Sequence, residues 1–316
     1  MFSRFLTVTI LCLAGASALA DPADRVLTAF QGWLAKADAN GALALVRKGR
    51  VVASRSLGLD ATQPVELASL SKAITGVCAA QLVKDGVLTW DDTLSAKVGR
   101  GPDITLAQLI TQSGGIGRDS TQRLMRTLLD TSGPHQSVAV LDKVAKRKRL
   151  KGDVGKHIYT NENYALAALM IEAATGRNYA DVCAEKAFIP ADVTAKPSPR
   201  AGTFLPWGGW QMSVADHAIW HNHWFGAQYQ PKSQPSVPVD RGVSYGTGAY
   251  FRMLSRGNTA WHFGAFCFPG KMNVGSYVVT LFGEWTIMAA YDACVSFEDM
   301  FALDTSLVDA LFRDTK

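Results

Sequence analysis

The hydrophobic pattern has β character near both ends of the chain and helical spacing in between. Residues 22–39 carry apolar side chains every three or four positions, which predicts an amphipathic helix. Two short apolar runs, Ala42–Arg47 and Arg50–Ser54, flank the turn Lys48-Gly49 and predict a β-hairpin. The N-terminal part is therefore expected to contribute one helix and two paired strands.

The pattern returns to helical spacing over residues 66–84, and the polar turn Lys84-Asp85-Gly86 is predicted to end that helix. Residues 104–200 are predicted to form mainly helices and loops. The stretch Gln230–Pro238 holds three prolines and predicts a surface loop. Ser306–Phe312 predicts a closing helix. Three segments before it alternate like antiparallel strands: Trp261–Phe268, Gly275–Phe282 and Trp285–Cys294.

This distribution favours an α/β fold of the α+β type. We expect one antiparallel sheet built from the N- and C-terminal segments, flanked by helices, with a mainly helical inserted subdomain. The sheet part would take residues 21–60 and 240–316, and the helical part residues 61–239. Together they would form a single domain over residues 21–316.

The composition is that of a globular protein, since 48% of the 316 residues are hydrophobic and 19% are charged. These values exclude a disordered chain, a collagen-like repeat and a small disulfide-stapled protein. The net charge of +5 is spread along the chain. Nucleic acid is therefore not an expected partner, and the sequence does not predict an oligomeric state.

Residues 1–20 have the three parts of a secretory signal peptide. Arg4 supplies the charge, Phe5–Ala14 is too short to cross a bilayer, and Ala18-Leu19-Ala20 forms a cleavage site before Asp21. The alternatives are a buried helix or a membrane anchor. Cleavage would leave no integral membrane segment, and bacterial export would place the protein in the periplasm.

Four cysteines remain after the signal peptide: Cys78, Cys183, Cys267 and Cys294. An exported protein can form disulfides, and four cysteines allow three pairings, among which the sequence does not choose. Free buried thiols are the alternative. The spacing does not match a zinc site made of paired cysteines.

The strongest local motif for catalysis is Ser69-Leu-Ser-Lys72 at the start of an apolar helix. The spacing of three residues puts the hydroxyl and the amine on one helix face. Serine needs a nearby base to become a nucleophile, and a buried lysine can serve because burial disfavours its charged form. The alternative is a solvent-facing pair in which Ser69 only caps the helix.

A second motif, Tyr159-Thr160-Asn161, precedes an apolar helix. The phenol of Tyr159 could relay protons to a leaving group, and the amide of Asn161 could bind a substrate carbonyl or orient the lysine. The alternative is a helix N-cap beside a half-buried tyrosine.

A third motif, His262-Phe263-Gly264-Ala265, lies inside a predicted strand. Gly264 would allow close approach of a ligand, and the N–H group of Ala265 could join that of Ser69 in an oxyanion hole. The alternative is an ordinary strand with one packed histidine.

The three motifs, in this order, resemble the serine hydrolases that include class C β-lactamases, low-molecular-weight penicillin-binding proteins, D-aminopeptidases and related esterases. The resemblance covers roughly residues 23–295. Three further segments carry it: Asp85–Leu94, like the family's turn after the active-site helix; Ile104–Ile116, like its leucine-rich helix and glycine loop; and Gly208–Asp216, like its "GG…S…D" segment.

The resemblance implies a β-lactamase/transpeptidase-like catalytic domain and a role for each motif residue. Ser69 would form an acyl-enzyme, and Lys72 and Tyr159 would share the proton transfers. Asn161 would contact the substrate or Lys72. The third motif would bind the substrate through three residues: His262, in place of the family's lysine, Gly264, and Ala265, whose N–H completes the oxyanion hole. The resemblance implies no metal and no organic cofactor.

The third motif departs from the Lys-Thr-Gly of class C β-lactamases. A histidine is mostly neutral at pH 7, and Phe263 cannot donate the threonine's hydrogen bond, so recognition of a substrate carboxylate is weakened. Gln112 and Gly114 also replace the family's common His and Ser, and Asp153-Val154-Gly155 stands where a Pro-Gly turn is usual. The change in the third motif makes efficient β-lactam hydrolysis less expected, whereas the other changes lie in supporting segments and concern orientation more than chemistry.

Three groups of residues outside the motifs suggest further chemistry. Trp207, Trp210, Trp220 and Trp224 could line an aromatic pocket, although ordinary packing is the preferred interpretation. Three histidines lie on one predicted helix, His217, His221 and His223, and the first two, spaced i, i+4, could bind a metal, although no HExxH-type glutamate accompanies them. The run Lys143–Lys151 holds six basic residues and reads as a solvated helix face or as a surface attracted to an anionic envelope.

These observations favour an exported serine hydrolase acting on a small ester, amide or peptide substrate, with a cell-wall fragment as one candidate source. Esterase or amidase ranks first, D-amino-acid peptidase second and β-lactamase third. A catalytically idle envelope-binding protein and a metal-dependent hydrolase using the histidines are the competing classes.

Overall fold

The computed structural model describes residues 21–313, so the predicted signal peptide lies outside the described residues. The strands are β1 Gly41–Arg47, β2 Arg50–Leu57, β3 Val65–Glu66, β4 Gly114–Ile116, β5 Lys151–Val154, β6 Lys196–Pro197, β7 Trp210–Met212, β8 Val237–Asp240, β9 Val243–Gly246, β10 Ala249–Leu254, β11 Gly257–Phe268, β12 Met272–Leu281 and β13 Trp285–Tyr291. The α-helices are α1 Pro22–Ala37, α2 Ser71–Lys84, α3 Leu94–Val98, α4 Leu106–Ile110, α5 Thr121–Leu128, α6 Ser137–Ala145, α7 Asn161–Thr175, α8 Tyr179–Cys183, α9 Val214–Phe225 and α10 Phe297–Phe312.

Eight strands form the main sheet in the order β2-β1-β13-β12-β11-β10-β9-β8. All neighbouring strands in it are antiparallel, and β1 lies between β2 and β13. The prediction of one antiparallel sheet built from both ends of the chain is thus confirmed. Smaller sheets join β3, β7 and β6, and β4 with β5.

The hairpin predicted between β1 and β2 is present because its two turn residues adopt left-handed backbone conformations. Lys48 has φ 49° and Gly49 has φ 77°. This combination matches the right-handed twist of paired strands, and the glycine accepts it without steric cost. The turn therefore sets the register of the hairpin.

The two faces of the sheet bury different helices because side chains alternate along each strand. Leu43 and Leu45 of β1 pack with α1 and α10, in a cluster that contains Phe30 and Leu307. The intervening alanines and Val46 of β1 face the larger core, which contains α2, α7 and the inner side of α9. In the described part of the chain, no helix has the length and apolar character needed to cross a membrane.

Two segments differ from the sequence prediction. The chain over Gln230–Pro238 is not entirely loop, because it forms a 3₁₀ turn at Pro231–Ser233 and enters strand β8. Pro238 is tolerated there because β8 is the edge of the sheet and pairs only with β9 among the described strands. Helix α10 starts at Phe297 rather than Ser306, since Ser296 and Asp299 form a capping box.

The structure contains two disulfides, which correspond to one of the three cysteine pairings that the sequence allows. Cys78 of α2 is bonded to Cys183 of α8, and Cys267 of β11 is bonded to Cys294 beyond β13. The free-thiol alternative is therefore wrong for this structure. The first disulfide joins α2 to α8, and the second joins the end of β11 to the segment that follows β13.

Candidate active site

Ser69 lies in the 3₁₀ turn Ala68–Leu70, immediately before α2, so the helical spacing predicted from residue 66 begins as a tighter turn. The preceding residue, Ala68, has φ 45° and is fully buried. A non-glycine residue in this conformation is strained and persists only where the surroundings impose it. The strained turn presents Ser69 at the N-terminal end of α2, where backbone N–H groups stabilise negative charge.

Lys72 is fully buried one helical turn after the serine. Its Nζ atom lies 3.0 Å from Ser69 Oγ, 2.7 Å from Asn161 Oδ1 and 3.0 Å from the carbonyl oxygen of Trp207. The last two oxygens can only accept hydrogen bonds, so they take the two N–H bonds of a neutral amine. The remaining lone pair of the amine then faces the serine hydroxyl, as a general base requires.

Burial lowers the pKa of Lys72 to about 7, and the negative charge of Asp119 partly opposes that shift. The dominant cause is loss of hydration, which disfavours the ammonium form. Near neutral pH, a large fraction of the molecules therefore carries an uncharged amine beside Ser69.

Asn161 orients the lysine from the first turn of α7. Its Nδ2 donates to Thr121 Oγ1 at 2.8 Å, which turns Oδ1 towards Lys72. Its backbone N–H donates to Asp119 Oδ2 at 2.9 Å. Asp119 also accepts from Thr121, so one loop holds both the amide and its backbone. The N-cap alternative for this motif does not describe Asn161, whose amide bonds inside the site.

Tyr159 covers the other side of the lysine. Its ring centroid lies 4.8 Å from Lys72 Nζ, and 37% of the residue is exposed. Burial of the phenol group raises the pKa of Tyr159 well above its usual value, while hydrogen bonding to Ser69 acts in the opposite direction. The phenol is therefore neutral at physiological pH and carries a proton that it can donate.

Gly264 brings strand β11 against the serine turn. A Cβ atom at this position would lie 2.5 Å from Leu67 O and 2.9 Å from Ser69 N, so no larger residue fits. This close approach places the exposed residue Ala265 on the wall of the pocket beside Ser69. The two residues predicted to form the oxyanion hole therefore border the same cavity.

His262 lies behind Tyr159 rather than on the pocket wall. The residue is 2% exposed, and its ring centroid is 5.8 Å from that of Tyr159. Burial, followed by the charge of Lys72, lowers the pKa of His262 to about 3. A neutral, covered imidazole does not bind a substrate carboxylate as the family's lysine does, so direct contact of His262 with substrate remains only a prediction.

The catalytic groups open into a cavity of about 390 Å³. Its lining consists of Ser69, Asp119, Gln122, Met125, Tyr159, Asn161, Trp207, Ala265, Phe266, Cys267 and Phe268. Among these described residues, Asp119 has the only charged side chain. The sequence analysis missed Asp119 and the aromatic wall, although Phe266 and Phe268 follow the period-two alternation that puts strand residues on one face.

Of the four tryptophans, one borders the cavity, and the other three pack elsewhere, as the preferred interpretation expects. Trp207 lines the cavity and supplies the carbonyl oxygen that binds Lys72. Trp210 and Trp220 are 2% and 0% exposed and belong to the core. Trp224 donates its indole N–H to Ala187 O and lies outside this cavity.

A buried ion pair holds the start of α7. Glu162 is fully buried and accepts two hydrogen bonds from Arg147 as well as those of the Ser120 backbone and hydroxyl. The basic run Lys143–Lys151 was expected to form a solvated helix face, but Arg147 instead points to this buried carboxylate.

Gln112, which replaces the family's histidine, accepts a hydrogen bond from the backbone N–H of Thr160 at 2.6 Å. This hydrogen bond and the ion pair of Glu162 fix the segment that carries Tyr159 and Asn161.

The three histidines of α9 do not converge. His217 and His221 are fully buried with ring centroids 6.1 Å apart, and His221 bonds Thr280 Oγ1 through Nδ1. His223 lies on an exposed part of the helix. Across residues 21–313, no group of three or more His, Cys, Asp or Glu side chains has an arrangement suited to a metal ion. The metal-dependent class of hydrolase thus lacks a site in that range.

Proteins of known structure share this architecture. A D-stereospecific amidohydrolase from Streptomyces sp. superposes with a TM-score of 0.73 at 17% identity, covering 93% of this chain and 99% of that one. A penicillin-binding protein homologue from Pyrococcus abyssi, described as octameric, gives a TM-score of 0.72 at 16% identity, covering 92% and 77%. Identities this low establish the fold alone.

Sequence comparisons define the family. The Staphylococcus aureus (strain NCTC 8325 / PS 47) "Protein flp" is 27% identical over 177 residues, which cover 50% of this chain and 35% of that protein. The chain thus spans about a third of the length of this curated relative. A family model described as Beta-lactamase matches residues 28–278, which is most of the chain. The chain belongs to the Beta-lactamase family, in agreement with the three sequence motifs that resemble those of serine hydrolases.

Proposed function

We propose that this protein is an exported serine hydrolase that cleaves an ester or amide through an acyl-enzyme on Ser69. One observation carries the proposal. The amine of Lys72 is buried, has its pKa lowered to about 7, and lies 3.0 Å from the serine hydroxyl. Its two other neighbours can only accept hydrogen bonds, which leaves its lone pair for the serine proton.

Acylation would begin when neutral Lys72 takes the proton of Ser69 as Oγ bonds to the substrate carbonyl carbon. The carbonyl oxygen then becomes an oxyanion that accepts from the N–H groups of Ser69 and Ala265. As the intermediate collapses, the bond to the leaving group breaks, and Tyr159 donates a proton to that group. Lys72 restores the phenol proton.

Deacylation would use water in the place of the leaving group. Tyr159 and Lys72 together would take one proton from the water, whose oxygen bonds to the acyl carbon. The second tetrahedral intermediate would release the acid and return a proton to Ser69 Oγ. Both half-reactions use the same three side chains, so a separate base is not required.

The pocket favours substrates without a carboxylate near the scissile bond. Asp119 contributes negative charge and, among the described lining residues, no lysine or arginine balances it. Phe266 and Phe268 add apolar surface. A small ester or amide is therefore the first candidate and a β-lactam the last.

A D-amino-acid amide or short peptide is the second candidate. Its free ammonium group would be attracted by Asp119, which borders the cavity beside Asn161. The name of the Streptomyces neighbour, a D-stereospecific amidohydrolase, agrees with this candidate. Export is proposed from the signal-like residues 1–20, and the two disulfides agree with an oxidising compartment.

The test is hydrolysis of p-nitrophenyl esters, D-alanyl p-nitroanilide and nitrocefin by the wild type and by the Ser69→Ala variant. We expect ester or anilide hydrolysis that falls at least about a thousandfold in the variant. The exposed Ser132→Ala variant is the matched control and keeps wild-type rates. A fluorophosphonate probe should label Ser69. An unlabelled, inactive folded protein would support the idle binding protein instead.

A further inference from the structure

The disulfide between Cys267 and Cys294 lies beside the candidate active site. Cys267 belongs to the lining of the cavity that contains Ser69, between the aromatic residues Phe266 and Phe268. It follows Ala265 by two positions on β11. The proposed reaction uses the N–H group of Ala265 but gives the disulfide no role.

The part of β11 that carries Ala265 has few neighbouring strands. Strand β10 pairs with β11 no further than Trp261, and β13 pairs with β12 only from Gly275 onwards. Residues 266–268 therefore pair with residues 272–274 and, among the described strands, with nothing else. We call residues 265–275 the hairpin end. Because a two-stranded hairpin is marginally stable by itself, the hairpin end depends on other contacts to keep its position.

Apolar packing and the disulfide hold opposite faces of the hairpin end. Phe266, Phe268 and Met272 are 3%, 7% and 4% exposed and belong to the larger core. Side chains alternate along a strand, so Cys267 points to the other face, where it is exposed. Cys294 is also exposed and lies between β13 and α10. The disulfide therefore joins the hairpin end covalently to a segment that β12 separates from β11 in the sheet.

We propose that the Cys267–Cys294 disulfide is a positioning element that holds Ala265 in the geometry the hydrolase reaction needs. This inference rests on the proposed function. An oxyanion hole acts only while its donors stay within hydrogen-bond distance of the developing negative charge. Without the disulfide, the hairpin end would adopt a range of positions, and the N–H group of Ala265 would meet the oxyanion less often.

The exposure of this disulfide makes the active site sensitive to oxidation state. Cys78 and Cys183 of the other disulfide are both 0% exposed. A dithiol reductant can attack the exposed disulfide: two electrons and two protons pass to its cysteines, which become thiols, while the reductant becomes a disulfide. Exchange with a disulfide oxidant in an oxidising compartment runs in the opposite direction. The reduced precursor would therefore be a weaker hydrolase than the exported, oxidised protein.

Reduction should weaken catalysis without unfolding the protein, because other contacts of the hairpin end remain. Besides the apolar packing, Lys271 donates from Nζ to Arg126 O at 3.0 Å and accepts from Arg200 at 2.7 Å. Complete loss of an oxyanion donor lowers kcat about 10²–10³-fold, so a mobile donor should lower it less, by about tenfold. KM for a small ester should change less than about twofold, since the oxyanion forms only in the transition state.

The test compares the full chain before and after treatment with dithiothreitol in the absence of denaturant, with p-nitrophenyl acetate as substrate. Alkylation and mass spectrometry should find Cys267 and Cys294 modified, and Cys78 and Cys183 still bonded. The kcat is divided by the amount of Ser69 that a fluorophosphonate labels at completion, which removes the effect of any unfolded fraction. This corrected kcat should fall about tenfold and return after reoxidation with oxidised glutathione.

Two variants separate the disulfide from other effects of the reductant. The double variant Cys267→Ser and Cys294→Ser should have the lowered kcat without dithiothreitol and should not respond to it. Asn273→Ser is the matched control, since Asn273 is exposed and lies directly opposite Cys267 on β12. It should keep both the kcat of the wild type and the response to dithiothreitol.

Hydrogen exchange tests the positioning role without hydrolysis. Backbone amides of residues 266–268 should exchange faster after reduction, whereas those of β13 should not change. If the corrected kcat or the exchange of residues 266–268 stayed the same in the double variant, the proposal would be overturned. A wild type that neither hydrolyses the ester nor is labelled at Ser69 would instead contradict the proposed function, and the exchange result would then decide the role of the disulfide by itself.

Discussion

Replacing Lys72 with methionine separates the catalytic role of the amine from its cost to stability. Methionine has a similar length and keeps the buried volume filled, but it carries no titratable group. We expect Lys72→Met to abolish hydrolysis. We also expect its stability, relative to the wild type, to change with pH in a direction set by the buried amine.

The magnitude follows from the lowering of the Lys72 pKa from 10.5 to about 7. Between these pH values the unfolded chain binds a proton at this residue and the folded chain does not, so wild-type stability rises with pH. The slope approaches 1.4 kcal/mol per pH unit, which gives about 2 kcal/mol between pH 7 and pH 9. At pH 7 and below, the buried amine destabilises the folded state most, and this penalty fades as the pH rises towards 10.5.

The Lys72→Met variant lacks the contribution of Lys72 to the pH dependence of stability. Any advantage of Lys72→Met at pH 7 is offset by the carbonyl oxygens of Asn161 and Trp207 left without a donor, at about 1–3 kcal/mol each. The stability difference between Lys72→Met and the wild type at a single pH therefore does not test the pKa of Lys72. The change in that stability difference from one pH to another does, because only the titration of Lys72 contributes to it.

The assay is urea unfolding of the wild type and Lys72→Met at pH 7 and pH 9, with the disulfides intact. Lys84 is exposed on the same helix, so the Lys84→Met variant controls for the loss of a lysine amine that is not buried. Relative to the wild type, Lys72→Met should lose about 2 kcal/mol between the two pH values, whereas Lys84→Met should show no such change. If the free energies of unfolding of the wild type and Lys72→Met differed by the same amount at pH 7 and pH 9, the pKa of Lys72 would not be lowered. The proposed role of Lys72 as the base would then be refuted.

Two further predictions follow from the same site. First, wild-type kcat/KM should rise with pH through about 7 and then level off, because only deprotonated Lys72 accepts the serine proton; a rate that falls with pH through this range, in a pH series with an uncharged ester, would contradict it. Second, Arg147→Met leaves the buried carboxylate of Glu162 without its cation and should lower the free energy of unfolding by about 3–5 kcal/mol in urea titrations. The exposed Arg149→Met variant should change it by less than about 0.5 kcal/mol, and an equal effect of both would contradict the second prediction.

Short sequence motifs predicted most of the candidate catalytic residues. The contacts among these residues, however, have different origins. The proximity of Ser69 and Lys72 follows from helical spacing alone. The approach of Asn161 to Lys72 does not, because 89 residues separate them along the chain and only the fold brings them together. The family resemblance implied that Asn161 contacts either the substrate or Lys72, without choosing between them. Asp119 was missed because its position depends on the loop before α5, for which the sequence has no periodic signal.

Where the fold prediction failed or stayed open, the cause can likewise be traced to particular residues. The sequence pattern at β8 contains Pro238, which argued against a strand, yet an edge strand does not need that N–H group. The disulfide pairing depends on which strands and helices become neighbours, and four isolated cysteines carry no such information. The 2% exposure of His262 depends on the tyrosine rings packed around it, those of Tyr159, Tyr245 and Tyr250, and its motif position carries no information about this packing.

During synthesis, β1 leaves the ribosome long before β13, the strand that covers one of its edges. Until then, Leu43 and Leu45 lack much of the apolar surface that later surrounds them, including Leu307 of α10. We therefore expect nascent chains of this protein to remain unfolded, or to be held by chaperones, until β13 and α10 have been synthesised. C-terminal truncations before Trp285 should accumulate as aggregates or be degraded rather than persist as partly active fragments.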